Sequence, residues 1–314
     1  VISNQLRTIP DEKFARTLFQ ELERHWNTPD DNDPTRTGGM QVPGYTLKEN
    51  EAMNVILKHA HEMNMQCFSD LSGNLYMIYP GRDHSKTVVA ASHVDTVRNG
   101  GRYDGRAGIV GPMAALKTIH RQGLIPPQDI CVMICRTEES AHYGRVSIGA
   151  HLAVNLKSDL RNKILHDKAL LDKDAKPPSD LSSYHLIEKV DQGGRTIPKS
   201  LVQNMIDSGI NLDTLCKALE TDEAMFPIKE TAAYIESHIE QAPVLKALGE
   251  GSIGIVDDIR GNVRWVGNAK NPYFQLEGKT SHSGGTPMEV REDSAVTLVR
   301  FCHELIEKFD KLLK

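Results

Sequence analysis

Hydrophobic positions recur with two periods along this chain, and the change of period marks out its elements. Between 11 and 26, Phe14, Leu18, Phe19, Leu22 and Trp26 return every three or four residues, the spacing of one helix face. Residues 27–45 are rich in Pro, Asp, Asn, Gly and Thr and read as loop. Thr46-Leu47-Lys48-Glu49 has the form of a capping box. It opens a helix running to about Met65, with Met53, Ile56, Leu57, Ala60 and Met63 inward. Residues 70–80 read as a strand pair or hairpin edge around Ser72-Gly73-Asn74.

Two continuous apolar runs, 87–92 (TVVAAS) and 129–135 (DICVMIC), flank a helical stretch over 105–123 with Met113, Leu116 and Ile119 inward and Pro112 in its early turns. Strand, helix, strand with strands apolar on both faces predicts a parallel βαβ sheet. A further strand over 231–239 ends in His238. Residues 155–230 are charged and turn-rich, with short helices near 200–208 and 212–220, and read as a surface excursion. From about 245 the pattern alternates over 252–258, 262–268 and 272–277. Thr286-Pro287-Met288-Glu289 then opens a helix with Ala295, Leu298, Val299, Cys302, Leu305, Ile306 and Phe309 on one face. The expected fold is therefore α/β, with a mainly parallel central sheet and flanking helices over 1–244 and a smaller α+β domain over 245–314.

Composition narrows the class. The 314 residues are 39% hydrophobic and 25% charged, as in globular domains. A net charge of −5 gives no footprint for nucleic acid or an anionic membrane. No apolar run approaches the roughly 18 residues a membrane span needs. The start, Val1-Ile2-Ser3-Asn4, lacks the apolar core of a signal peptide. Five cysteines, Cys67, Cys131, Cys135, Cys216 and Cys302, are odd in number and widely spaced. They are expected to be buried free thiols, which points to the cytoplasm.

The chemistry gathers at strand ends, where sheets of this kind bind ligands. Ser92-His93-Val94-Asp95-Thr96 closes one strand, Thr137-Glu138-Glu139-Ser140 closes another, and Glu236-Ser237-His238 a third, while Tyr103-Asp104-Gly105 sits in a Gly-rich turn. Imidazoles and carboxylates collected this way suit a hydrolytic metal site. Asp95, two residues after His93, could orient its ring. Asp104 has two oxygens with which to bridge two ions. Side chains of neighbours at a strand end diverge, so one of Glu138 and Glu139 could bind metal while the other faces the attacking water. Taken alone, each of these is ordinary: a lone histidine or an acidic pair is usually surface. Mixed N/O donors do not discriminate among zinc, manganese, cobalt and nickel.

These segments, with Gly100-Gly101-Arg102-Tyr103-Asp104-Gly105, His238-Ile239-Glu240-Gln241-Ala242-Pro243 and His282-Ser283-Gly284-Gly285-Thr286-Pro287-Met288, resemble the amidase/carbamoylase branch of the M20 metallopeptidase family. The likeness runs from about residue 40 to the end of the chain. It implies a Zn-exopeptidase-like α/β domain with a lid domain that dimerises, and a small-molecule substrate. His93, Asp104 and His238 match one metal site, and Asp104 and Glu139 the second, with Asp104 bridging. Glu138 matches the general base, and Gln241 and His282 match residues that contact substrate, His282 also stabilising the oxyanion across a dimer. Two positions depart from the pattern: Ala242 stands for a Gly and His142 for an Arg. In the family, a later Gly-His-Asp supplies the remaining ligand of the second metal, and no counterpart is found here. Of two divalent ions, the first is thus the better supported.

The expected activity is hydrolysis of a linear amide or ureido C–N bond (an N-carbamoyl amino acid, β-ureidopropionate or allantoate) by water activated by metal and Glu138. The alternatives are a truncated or degenerate homologue that binds metal and dimerises without catalysis, and a dipeptidase or aminopeptidase. His238 and Gln241 stand against the last.

Overall fold

The structure, a computed structural model, describes residues 10–25, 38–97, 99–154, 159–171, 201–221, 223–241 and 249. The chain divides into two compact units, Val1–Ile239 and Glu240–Lys314. Nearly all described residues belong to the first. The strands and helix expected over 252–309, His282 and the expected dimer surface lie outside the described residues.

The first unit is built on a five-stranded sheet in the order β1-β2-β4-β3-β5. Its strands are β1 (Gln66–Ser69), β2 (Leu75–Tyr79), β3 (Asp83–His93), β4 (Gln128–Cys135) and β5 (Thr231–Ile235). β3 runs parallel to both β4 and β5, whereas β2 is antiparallel to both β1 and β4. The sheet is therefore mixed, with β2 running against the other four strands. β3 and β4 are joined through a crossover helix; β1 and β2 form a hairpin, which must be antiparallel.

β4 shows why the centre of the sheet reads as a continuous apolar run. Val132 and Ile134 face one core with Leu75 and Met77, while Cys131, Met133 and Cys135 face another with Tyr76, Val89 and Ala91. Successive side chains of a strand point to opposite faces, so both faces of β4 are covered. Three helices cover the first face: α1 (Glu12–Leu22), α2 (Leu47–Glu62) and α3 (Arg106–Arg121). Of the expected inward residues, Phe14, Leu18, Leu22, Met53, Ile56, Ala60, Met113 and Leu116 are buried. Trp26 lies outside the described residues.

Three expectations change. The stretch 155–230 is more than a surface excursion. It holds α5 (Asp159–Leu171), α6 (Leu201–Asp207) and α7 (Leu212–Glu220), which with α4 (Ile148–Ala153) enclose a third core around Leu160, Ile164, Met205 and Leu215. β5 ends at Ile235, short of His238, and Tyr234 and Ile235 are exposed, as an edge strand allows. The capping box is absent: Thr46 makes no side-chain cap and its hydroxyl donates to the Pro43 carbonyl. Glu49 is fully buried instead and binds groups outside its helix.

Candidate metal centre

The site lies beyond the carboxyl ends of β3 and β4, where His93 and Cys135 are register partners. His93 is buried, and its Nδ1 lies 3.0 Å from the Asp95 carbonyl and 3.3 Å from Asp95 Oδ1. That contact engages one ring nitrogen and leaves Nε2 for a ligand. Gly105 makes room for the ring. A Cβ there would sit 2.5 Å from three ring atoms, and the residue has φ +65°, so glycine is required on both counts.

Asp104 follows a loop held by several local bonds. The Thr96 amide donates to the Val42 carbonyl, the Val42 amide donates to the Thr96 hydroxyl, and Met40 pairs with Gly100. Beneath the loop, the buried Arg106 guanidinium donates to the carbonyls of Val94 and Gly101. Burial pulls Arg106 down to about 10, with the nearby Asp104, Asp95 and Glu139 charges opposing that.

His238 comes from the segment after β5. Its Nδ1 lies 2.6 Å from the Ile239 carbonyl and its Nε2 3.2 Å from Asp104 Oδ1. Gly108 of α3 lets this segment in: a Cβ there would sit 2.5 Å from the Ser237 carbonyl oxygen. Ser92 donates to Glu236 at 3.2 Å across the same contact. His93, Asp104 and His238 thus form a candidate metal-binding group, their ligand atoms all within 4.8 Å of one another. Two imidazole nitrogens and a carboxylate suit a divalent cation.

A second group joins His93 to Glu138 and Glu139 by the same measure. His93 Nε2 is 3.6 Å from Glu138 Oε2. His93 is common to both groups, and with Nδ1 engaged it has one nitrogen to offer. The buried Asp95 carboxylate accepts from the Glu138 amide with one oxygen and from the Glu139 amide with the other, both at 3.0 Å. One side chain therefore orients a ring and secures the acidic pair.

The site's titrations reflect crowded carboxylates around two rings. Burial opposes a charge on His93, but the Asp95 hydrogen bond and charge, with Glu138 and Glu139, push it up to about 10. The bond to Asp104 raises His238 to about 9. Burial lifts Glu139 to about 7 and raises Glu138 above its ordinary value.

Gln241 belongs to the second unit, and Ala242 and His282 lie outside the described residues. His142 is buried, with Nε2 2.8 Å from the Thr96 carbonyl, so it ties the loop after Glu139 to the loop after His93. Sequence reasoning missed Glu49, Arg136, Asn74 and Gly108 as supports of the site. Glu49 did carry a signal: it falls four residues before Met53 and seven before Ile56, a charge on the inward stripe of its helix.

No protein-family model matches the chain. The chain is 28% identical over 258 residues to an N-carbamoyl-L-amino acid amidohydrolase of Geobacillus stearothermophilus, covering 82% of this chain and 53% of that protein. It is 27% identical over 302 residues to an allantoate amidohydrolase of Escherichia coli (strain K12), covering 95% and 61%. A hydantoinase/carbamoylase family amidase from Burkholderia ambifaria has a similar solved structure, with a TM-score of 0.51 and 19% identity over 76% of this chain and 48% of that one. This last likeness bears on the fold. The chain spans 53% and 61% of the length of these two curated relatives. The curated relatives support an M20-type amidase/carbamoylase branch, in line with the chain's motifs.

Proposed function

We propose that this chain is an amidohydrolase that cleaves a linear ureido or amide C–N bond, of the N-carbamoyl amino acid or allantoate type, at a divalent-metal centre. His93, Asp104 and His238 would hold the ion, and Asp104 with Glu139 would serve a second, because His93, with Nδ1 engaged, has one nitrogen to give. The carrying observation is that both imidazoles have Nδ1 against a carbonyl oxygen and aim Nε2 at one small volume beside carboxylate oxygens. Such an ion supplies Lewis-acid polarisation of a carbonyl oxygen and lowers the pKa of water.

Glu138 is the proton carrier in this reading. Its amide is held by Asp95 and its carboxyl accepts from the Ser147 hydroxyl at 3.2 Å. Burial raises its pKa, which favours taking a proton from the attacking water and returning it to the leaving nitrogen. With an N-carbamoyl substrate, the released carbamate decomposes to carbon dioxide and ammonia. Substrate contacts from Gln241 and His282, the lid dimer and the choice of zinc, manganese, cobalt or nickel rest on the resemblance.

The test is ammonia release from N-carbamoyl amino acids, allantoate and simple dipeptides, with added Zn²⁺ or Mn²⁺. Release from a ureido substrate, lost in Glu138→Gln at unchanged metal content, is the expected result. Dipeptide cleavage without ureido cleavage, or an active Glu138→Gln, would contradict it.

A further inference from the structure

The backbone that carries Glu138 and Glu139 is held from behind. Four successive amides, from Arg136 to Glu139, each donate to a side-chain oxygen: to Asn74 Oδ1 at 2.8 Å, to Glu49 Oε1 at 2.9 Å, and to the two Asp95 oxygens at 3.0 Å each. The carbonyls of Arg136, Thr137 and Glu138 accept from the amides of Gly149, Ile148 and Ser147. Within this segment Thr137 has φ 53°. A β-branched residue at positive φ is strained, and it persists only where its surroundings over-determine it.

Glu49 is the part of that surrounding which comes from a distant helix. Its carboxylate is fully buried on α2. Oε2 accepts from Arg136 Nε at 2.6 Å and the Tyr45 amide at 2.7 Å, while Oε1 takes the Thr137 amide. A simple counter-charge for Arg136 would need only the first of these contacts. Arg136 also lies 4.9 Å over the Tyr45 ring. The Thr137 side chain is seated against Gly44, where a Cβ would be 2.3 Å from its hydroxyl oxygen. Thr137 is thus pinned at its amide by Glu49, next in sequence to Glu138.

We infer that Glu49 is a positioning residue for the acidic pair: its hold on the strained Thr137 backbone sets where Glu138 and Glu139 point. The inference rests on the functional reading above and adds a part to it. It distinguishes the acidic pair from Asp104 and His238, because Glu49 holds the segment that carries Glu138 and Glu139, while His93 is common to both groups.

The test uses Co²⁺ titrations of the full chain, read by visible absorption, beside thermal unfolding. Uptake that depends on the acidic pair is defined as that lost in Glu139→Gln. Glu49→Gln leaves Arg136 without its counter-charge and is open to misfolding. Glu49→Asp keeps the charge opposite Arg136 while drawing the carboxylate back from the Thr137 amide. In a folded variant, the Glu139-dependent uptake is expected to weaken at least tenfold, with uptake through His238 unchanged. Thr137→Gly added to Glu49→Asp should recover part of the loss, because glycine adopts positive φ without strain. Ile56→Val is the control: it lowers the melting temperature without moving the titration. Glu139-dependent uptake as tight in folded Glu49→Asp as in wild type would overturn the inference. Co²⁺ uptake indifferent to Glu139→Gln and to His238→Ala would overturn the functional reading itself.

Discussion

Gly105 lies against the His93 ring so closely that any Cβ at that position would come within 2.5 Å of three ring atoms. The ring in turn is set by Asp95, so the histidine has a glycine on one side and a carboxylate on the other. Gly105→Ala combines a positive-φ penalty with a clash, together about 1–3 kcal/mol. Displacing the ring should also weaken metal uptake at least tenfold. Thermal unfolding and a zinc isotherm on the same sample check both effects; an alanine variant that binds zinc like wild type would show that the ring is not a ligand.

Metal uptake should release protons. His93 at about 10 and His238 at about 9 carry protons at neutral pH, and Glu139 at about 7 is half protonated. A cation can bind only by displacing them, so affinity should climb from about pH 6 to about pH 9. Calorimetry in buffers of different ionisation enthalpy counts the protons, and an affinity flat across that range would speak against these ligands.

Asp11 links α1 to α3. Its Oδ1 accepts from the Phe14 amide at 2.9 Å and its Oδ2 from Arg121 at 2.5 Å. The Phe14 amide is the main cause that holds its carboxyl below the ordinary value of 3.8. A depressed folded pKa means that the contribution is present above the unfolded value and disappears as pH falls through the folded one. Asp11→Ala is expected to cost about 1 kcal/mol at neutral pH. That difference should shrink below about pH 3.8. Urea unfolding at two pH values measures it.

Gly108→Ala tests how His238 is brought in. A methyl group there would push against the Ser237 carbonyl and the Ser92 side chain. The expected result is loss of the His238-dependent ion, with uptake through the acidic pair retained. Equal titration of variant and wild type would show that the segment has another support.

Much of the fold was legible because apolar periodicity survives wherever a face is fully covered. The runs at 87–92 and 129–135 lie in β3 and β4, and the helices carrying Leu18, Ile56 and Met113 lie where their spacing put them. β5 was misjudged in length because an exposed edge strand leaves no burial pattern to mark its end. The antiparallel hairpin beside β4 was readable as a hairpin, but nothing local says which strand it will join. Within the site, His93 stands at a strand end, whereas Asp104 lies in a turn and His238 beyond the end of β5, so those two were reached through the resemblance of their motifs. Glu49 could not be picked out, because its partners Arg136 and Thr137 lie more than eighty residues away in sequence, at separations of 87 and 88. The capping-box pattern also offered a sufficient local explanation for it.

The central claim is that one divalent ion sits among His93, Asp104 and His238. Anomalous diffraction at the zinc edge from crystals grown with Zn²⁺ tests it most directly. The account predicts a peak about 2.0–2.2 Å from both Nε2 atoms and an Asp104 oxygen. A peak bound elsewhere, or density showing the two imidazoles too far apart to share an ion, would contradict it.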